Sequence, residues 1–152
     1  MEIALFQPDI AGNVGTTLRT AACFGVAAHI IEPCGFPFSD GALKRAGMDY
    51  AVRANVRRHA DWNSFRDWSI AAEQRLVLLT TAGATPLPDF AFAPEDVLLL
   101  GAESSGVPPS VHDAVAARVA IPMQAGFRSL NVAVAAGIAL AEALRQTKGF
   151  PA

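Results

Sequence analysis

The chain has 152 residues, of which 52% are hydrophobic and 17% are charged, and this composition excludes intrinsic disorder. The length fits one domain with a real core better than two small ones. The net charge of −2 speaks against a broadly basic, nucleic-acid-binding surface, so any RNA site must be a local cluster of cations.

The first half of the chain predicts alternating strands and helices. Strands are predicted at residues 2–6 and 29–32, and the segment between them has small and apolar residues at helical spacing. Gly25 is expected to end that helix. After a loop, a short helix through Ala46 and a longer one from Asp61 follow.

The second half continues this alternation. Two continuous apolar runs, at 76–79 and 97–100, are typical of strands that are covered on both faces. The proline-rich segment 83–94 between them predicts a loop. A last strand at 118–121 precedes a helix that Ser129 caps and that runs to about Gln146. The order of elements predicts an α/β fold with a mainly parallel sheet flanked by helices.

No targeting or membrane segment is predicted. The longest apolar stretch, Val132 to Ala141, is too short to cross a bilayer. The N-terminal residues lack a basic segment and a cleavage site, so we expect no secretion signal and a cytoplasmic protein. Cys23 and Cys34 are expected to be free thiols, since their spacing matches no metal site.

Three loops that contain glycine or proline follow predicted strands, at residues 80–83, 101–108 and 122–129. Ligands bind outside the carboxyl ends of the strands in an open α/β sheet, where each of these loops would lie. Gly101 and Gly106 permit close approach of the backbone, which suits a flat adenine ring and a ribose. Such loops are also common structural turns, so the pattern alone leaves both interpretations open.

Several other kinds of site find no support in the sequence. No glycine motif has dinucleotide-binding spacing, and no phosphate-binding loop is present. Ser104 is not in the glycine-flanked elbow of hydrolases. The three histidines, His29, His59 and His112, lie far apart in the sequence without matching carboxylates. We therefore expect no metal, and we interpret His29 as a strand residue whose ring is satisfied.

Three segments resemble the motifs of the SPOUT-class RNA 2′-O-methyltransferases, and they occur in the family's order across nearly the whole chain. They are residues 13–19 (NVGTTLR), residues 99–108 (LLGAESSGVP), and residues 121–123 (IPM) with 129–135 (SLNVAVA). Residues 29–33 and 45–50 narrow the resemblance to the small bacterial enzymes that methylate cytidine or uridine at the tRNA wobble position.

The resemblance implies one domain over residues 1–152, with a C-terminal deep trefoil knot. It also implies a homodimer that binds S-adenosylmethionine and tRNA, and an interface between subunits would explain the large apolar share. The cofactor-binding positions that it implies are Leu79, Gly101, Ile121, Met123, Ser129 and Leu130.

The family motifs also match at the implied catalytic and substrate-orienting residues, Arg19, Asn13, Glu103 and Asn131. An arginine like Arg19 has been suggested to deprotonate the ribose hydroxyl. Because a guanidinium normally only donates hydrogen bonds, we favour binding of the adjacent phosphate and stabilisation of the developing oxyanion. Glu103 could orient Arg19 or a loop backbone, or stabilise its loop. Ser129 and Asn131 could cap the last helix while also contacting ligands.

A local basic cluster could bind RNA. Its members are Lys44, Arg45, Arg53, Arg57 and Arg58, to which Arg19 is added as a predicted phosphate ligand. A dimer could combine the clusters of both chains into one groove, and binding would then weaken steeply with salt. The alternative is an ordinary solvated face.

Other functions remain open from the sequence. The same class of enzyme could act on another tRNA position or on ribosomal RNA, although longer members with those substrates usually carry extra domains. A non-catalytic RNA-binding or assembly protein is a second alternative, and a nucleotide-binding flavodoxin-like protein is a third. Ser104 and Ser105 depart from the wobble subfamily, which often has a basic residue there. This departure bears on the RNA target, not on the cofactor.

Overall fold

The computed structural model of the protein describes residues 1–45, 53–82 and 85–152, in which strands and helices alternate. The strands are β1 (Glu2–Phe6), β2 (Ala27–Ile31), β3 (Val56–His59), β4 (Arg75–Leu79), β5 (Thr85–Pro86), β6 (Asp96–Leu100) and β7 (Ala117–Ala120). The helices are α1 (Ala11–Cys23), α2 (Asp40–Arg45), α3 (Trp62–Ala71), α4 (Pro109–Ala114) and α5 (Val132–Thr147), with one 3₁₀ turn at Leu87–Asp89.

The seven strands form one sheet in the order β3-β2-β1-β6-β4-β7-β5, and every described pair of neighbours is parallel. All five residues of the central strand β6 are buried, as its continuous apolar run predicts. The predicted α/β fold with a mainly parallel sheet flanked by helices is therefore confirmed.

Helices cover both faces of the sheet. On one face, Leu18 of α1 and Leu140 of α5 are fully buried in a cluster with β1 and β6. Burying such a leucine contributes about 1.5–3 kcal/mol. On the other face, Phe65 of α3 and Val111 of α4 pack on the opposite side chains of the same strands. No helix in the described ranges is long and apolar enough to cross a membrane.

The small residues of α5 serve packing within the subunit. Ala136, Ala139 and Ala143 are completely buried, on the side of the helix that contacts α1 and β6. Their short side chains let the helix axes come close, because no longer side chain stands between them. The opposite side of α5 carries larger apolar residues that remain exposed.

The path of the chain around β7 is unusual. This strand lies between β4 and β5 in the sheet, although it follows both of them in the sequence. Val119 pairs with Leu79 on one side and with Thr85 on the other. After β7 the chain returns to α5, which packs against α1 and β6. The C-terminal part of the chain thus passes between two segments that precede it.

Several elements differ from those predicted. The sequence analysis did not predict β3 or α4, and the predicted loop at 83–94 contains β5 and the 3₁₀ turn. An edge strand has a neighbour on one side only, so it tolerates the charged residues of β3. The second helix was predicted to end at Ala46, which lies outside the described residues. Among the described residues, α2 extends over Asp40–Arg45.

The last helix begins later than predicted. Asn131, not Ser129, is its N-cap, and its side-chain oxygen accepts hydrogen bonds from the N–H groups of Ala133 (2.9 Å) and Val134 (3.3 Å). Asp61 caps α3 as predicted, through a 2.7 Å hydrogen bond from Ser64 N–H. Gly25, with a φ of +67°, ends the first helix as predicted.

A buried pair of histidines joins the strands β2 and β3. The Nδ1 atom of His29 lies 2.9 Å from Nε2 of His59, and Nε2 of His29 contacts the Glu2 carboxylate. The ring of Trp68 lies against His29 with the two centroids 4.1 Å apart and the rings tilted by 34°. The interpretation of His29 as a satisfied strand residue is confirmed. The statement that the histidines lie without a matching carboxylate was wrong, because the sheet brings together residues that are far apart in sequence.

The histidine pair predicts that acid destabilises the protein. Burial lowers the pKa of His29, and the hydrogen bond to Glu2 opposes this shift. Burial, together with repulsion from His29 and Arg57, lowers the pKa of His59 to about 4. As the pH falls below about 6.5, the unfolded chain binds protons that the folded chain does not. For His59 alone, the free energy of unfolding should be lower by about 2 kcal/mol at pH 5 than at pH 7.

Urea unfolding at pH 7 and pH 5 measures this difference. His59→Gln keeps a polar side chain but cannot titrate, so its loss between the two pH values should be smaller than that of the wild type. Equal pH dependence in the His59 variant and the wild type would contradict this assignment.

Candidate active site

A cavity of about 530 Å³ opens at the carboxyl ends of the central strands. It is lined by the loops that follow β4, β6 and β7, by the beginning of α5, and by residues of the segment that follows β1. All six positions predicted for cofactor binding line it: Leu79, Gly101, Ile121, Met123, Ser129 and Leu130. Three loops that are distant in the sequence therefore converge on one site.

The loop after β6 is closed on itself by backbone hydrogen bonds. Ala102 N–H donates to Gly106 O over 3.0 Å, and Gly106 N–H donates back to Ala102 O over 2.8 Å. Gly106 has a φ of +65°, which favours glycine. A Cβ atom on Gly101 would lie 2.6 Å from the carbonyl carbon of Gly106, so only glycine fits there. The turn thus presents bare backbone to the cavity.

Three of the four predicted catalytic residues form one hydrogen-bonded chain and line the cavity. The Asn13 side-chain NH₂ donates to Glu103 Oε1 over 3.2 Å, and the Asn131 NH₂ donates to Asn13 Oδ1 over 2.9 Å. Asn131 Oδ1 caps α5, so both amide groups have a fixed orientation. The other oxygen of Glu103 accepts the backbone N–H of Asp9 at 2.7 Å.

Arg19, the fourth predicted catalytic residue, lies elsewhere. It is exposed on α1, six residues after Asn13, and is not among the described residues that line the cavity. Six residues correspond to about 9 Å along a helix and to a turn of about 120° away from Asn13 around the axis. Within one subunit, Arg19 therefore lies on a different side of α1 from Asn13.

Two members of the predicted basic cluster, Arg57 and Arg58, lie on opposite faces of the sheet. The Arg57 guanidinium stacks over Trp68 at 5.3 Å, on the face covered by α3. Arg58 pairs with Glu32 at 2.5 Å on the other face, since neighbouring strand residues point to opposite sides. Arg45 and Arg53 are exposed. The side chain of Lys44, the remaining predicted member, lies outside the described residues.

Several residues that line the cavity were not among the predicted positions. Thr80 and Thr81 follow β4 directly, and Ile10 and Val107 add apolar surface. The sequence analysis placed Thr80, Thr81 and Val107 in loops expected at a ligand site, because these loops follow buried strands, but it did not name the three residues as ligand contacts. Ile10 carried no such signal, because it lies beyond an intervening loop and is brought in by the position of α1.

Known proteins share this fold and these motifs. The model of the SpoU rRNA Methylase family matches residues 1–141. A tRNA (cytidine(34)-2′-O)-methyltransferase of Ancylobacter novellus is 54% identical over 150 residues, which are 99% of this chain and 95% of that protein. A structure described as "Structural insights into the 2-OH methylation of C/U34 on tRNA" is 38% identical with a TM-score of 0.89, covering 97% and 96% of the two chains.

A further structure bears on the ligand. It is an AdoMet-bound rRNA methyltransferase of Sinorhizobium meliloti, which is 32% identical to this chain with a TM-score of 0.85. The match covers 95% of this chain and 55% of that one. The matches in sequence motifs, family model and fold agree with one another over nearly all of the described structure. The chain therefore belongs to the SpoU rRNA methylase family.

Proposed function

We propose that this chain transfers a methyl group from S-adenosylmethionine to the ribose 2′-hydroxyl of the wobble nucleotide, cytidine or uridine, of tRNA. The observation that carries the proposal is the convergence of three distant loops and the Asn13–Glu103–Asn131 chain on one cavity. The substrate is supported by the names of the Ancylobacter novellus relative and of the C/U34 structure.

The cavity fits the cofactor in size and in chemistry. Its volume lies within the range of roughly 300–1,000 Å³ that is usual for small-molecule sites. Leu79 and Ile121 offer apolar surface for a flat ring, and the Gly101–Gly106 turn offers backbone groups. The Glu103 carboxylate adds negative charge beside a positively charged ligand. We assign Met123, Ser129 and Leu130 to the same site.

When bound, S-adenosylmethionine supplies an electrophilic methyl group on a positively charged sulfur. The residues of this chain then have to hold the ribose hydroxyl in line and stabilise the charge that develops on its oxygen. We assign the first task to Asn13, Glu103 and Asn131, whose mutual hydrogen bonds leave no freedom to rotate. We assign the second to Arg19, which would also bind the adjacent phosphate.

We further propose a homodimer in which each cavity is completed by the partner. Exposed apolar side chains continue from the cavity onto α5: Leu130, Val134 and Ile138 are 39%, 50% and 41% exposed, and Ile10 is 51% exposed. Leu130 and Ile10 also line the cavity, so whatever covers this face also closes the site. A second copy would bring its own Arg19, which is exposed and is not among the described residues that line the cavity of its own chain.

The dimer predicts the effect of a charge on this face. Ile138→Asp places a carboxylate in the proposed interface, where it would be buried without a partner, so we expect monomers and loss of methyl transfer. Ile70, which is 67% exposed on α3, provides the matched control. Ile70→Asp should leave both the oligomeric state and the transfer unchanged. Sedimentation velocity measures the first, and a dimeric Ile138→Asp protein would contradict the proposed interface.

We propose that residues 1–152 form a single methyltransferase domain with the SPOUT fold. In this proposal the path of the chain around β7 closes a deep trefoil knot, and the position of β7 between β4 and β5 supports it. We assign tRNA contacts to Lys44, Arg45, Arg53, Arg57 and Arg58 of both subunits, and we place the enzyme in the cytoplasm with its substrate.

Methyl transfer to defined tRNA transcripts tests the function. The purified protein with isotope-labelled S-adenosylmethionine should label a transcript that carries cytidine or uridine at the wobble position. A matched transcript with a 2′-deoxyribose at that single nucleotide should stay unlabelled. Equal labelling of both transcripts would show another target ribose. Binding of tRNA without any labelling would favour the non-catalytic alternative.

A further inference from the structure

Asp9 ties the loop after β1 to the loop after β6. One oxygen of its carboxylate, Oδ2, accepts two hydrogen bonds from Ser104, from the backbone N–H at 3.0 Å and from the hydroxyl at 2.6 Å. The backbone N–H of Asp9 donates to Glu103 Oε2 at 2.7 Å. One residue thus holds two consecutive residues of a loop that follows it by more than ninety positions.

A third loop holds Asp9 from the other side. Gly35, after β2, donates its N–H to Pro8 O at 2.9 Å. A Cβ atom on Gly35 would lie 3.0 Å from the Cα and 3.1 Å from the Oδ1 of Asp9. The carboxylate therefore fills a defined space between two loops.

The charge of Asp9 is stable at neutral pH. The hydrogen bonds from the side chain and the backbone of Ser104 lower the pKa of Asp9. The carboxylate is therefore ionised and can only accept hydrogen bonds, so that the Ser104 hydroxyl must donate. This fixes the direction of both hydrogen bonds between the Asp9 carboxylate and Ser104.

Glu103 connects Asp9 to the cavity. One oxygen of the Glu103 carboxylate accepts the backbone N–H of Asp9, and the other accepts the side-chain NH₂ of Asn13. Asn13 Oδ1 in turn accepts a hydrogen bond from the Asn131 side chain. We propose that Asp9 is a positioning residue for methyl transfer, which sets the place of Glu103 and thereby of the Asn13–Asn131 pair. The inference rests on the proposed function. Asp9 would act without touching the cofactor or the ribose.

Substitutions of Asp9 and Ser104 separate this role from simple stabilisation. Displacements of about 1 Å can lower turnover by about 10²-fold, and Asp9→Ala leaves the backbone hydrogen bond in place, so we expect kcat to fall about 10-fold. The KM for tRNA should stay within about twofold of the wild type, since the RNA contacts are unchanged. Ser104→Ala removes one hydrogen bond only and should lower kcat by about threefold.

The double variant gives the sharpest readout. If the Ser104 hydroxyl acts only through Asp9, Ser104→Ala should have no further effect on kcat in the Asp9→Ala background. Independent, multiplying effects would overturn the inference, as would an Asp9→Ala protein with kcat within twofold of the wild type. Ser104→Ala keeps the test usable if Asp9→Ala fails to fold.

Asp61 provides a matched control. Like Asp9, Asp61 has a carboxylate that accepts a backbone N–H, and this hydrogen bond lowers its pKa. Unlike Asp9, Asp61 is the N-cap of α3, and neither Asp61 nor a residue of α3 is among the described residues that line the cavity. Asp61→Ala should lower the melting temperature and leave kcat unchanged. A matching loss of kcat in the Asp61 variant would show that both losses arise from stability. If the wild type itself transfers no methyl group to tRNA, the proposed function and the role of Asp9 both fail, whereas wild-type transfer with an unchanged kcat in Asp9→Ala overturns only the role of Asp9.

Discussion

Arg19→Ala is expected to lower kcat for tRNA methylation by about 10²–10³-fold while the Kd for S-adenosylmethionine stays near the wild-type value. The reason is the position of Arg19, which is exposed on α1 and is not among the described residues that line the cavity of its own chain. Its guanidinium would act on the ribose oxygen and its phosphate, not on the cofactor. Single-turnover transfer and calorimetry measure the two quantities.

Two variants control for charge and for a general effect of losing an arginine. Arg19→Lys keeps the charge but not the planar fork, so it should recover only part of the activity. Arg66, 44% exposed on α3, is a surface arginine remote from the described cavity lining. Arg66→Ala should have wild-type kcat. Retained turnover in Arg19→Ala would reject the assigned role.

Gly101→Ala is expected to raise the Kd for S-adenosylmethionine by at least about 10²-fold. The new Cβ atom would lie 2.6 Å from the carbonyl carbon and 2.7 Å from the Cα of Gly106, which are backbone atoms and cannot rotate away. The two hydrogen bonds between Ala102 and Gly106 would have to open. Overpacking of this kind also costs about 1–3 kcal/mol of stability. Calorimetry and urea unfolding measure the two effects.

Gly41→Ala is the matched control for that substitution. A Cβ atom on Gly41 would meet only the far end of the Arg45 side chain, at 3.6 Å, and Gly41 is not among the described residues that line the cavity. Its Kd for the cofactor should equal that of the wild type. Wild-type affinity in Gly101→Ala would contradict the placement of the cofactor against the Gly101–Gly106 turn.

The two losses can be combined to test whether Arg19 acts across the dimer. A heterodimer of an Arg19→Ala chain and a Gly101→Ala chain contains one intact cavity, which faces the intact Arg19 of its partner. Mixing or co-expressing the two inactive variants should therefore restore part of the activity. Continued inactivity of a demonstrated heterodimer would show that Arg19 serves the cavity of its own chain.

The sequence predicted most of the fold because local patterns decide it. The strand predicted at residues 2–6, the apolar run at 97–100 and the helix predicted from Asp61 each correspond to an element that buries several side chains in the core. The elements that were missed have weak patterns. The strand β3 is a charged edge strand, β5 has two residues, and α4 buries only Val111.

The contacts within the site could not be predicted from local sequence patterns. Glu103 and Asn13 are separated by 90 positions, and the hydrogen bond between them depends on β1 and β6 being neighbours in the sheet. The resemblance to known motifs pointed to both residues, but not to their contact. Asp9 belongs to no quoted motif, and the His29–His59 pair likewise became visible only when β2 and β3 were placed side by side.

The start of α5 illustrates how capping is decided. Ser129 and Asn131 are both good N-cap residues, and the sequence analysis began the helix at Ser129 while also giving Asn131 as a residue that could cap it. In the structure Asn131 is the N-cap and α5 begins at Val132, while Ser129 and Leu130 precede the helix and line the cavity. Ser129 therefore stays on the wall of the cavity, where its hydroxyl is available to a ligand.

The central claim is that one cavity, shared between two subunits, directs a methyl group to the ribose of the wobble nucleotide. Mapping of 2′-O-methyl nucleotides at single-nucleotide resolution, in total tRNA from cells with and without this protein, tests it most directly. We predict the loss of one modification, at a wobble cytidine or uridine, and its return with the wild-type protein but not with Arg19→Ala. An unchanged wobble nucleotide, or a loss at another position or in ribosomal RNA, would contradict the account.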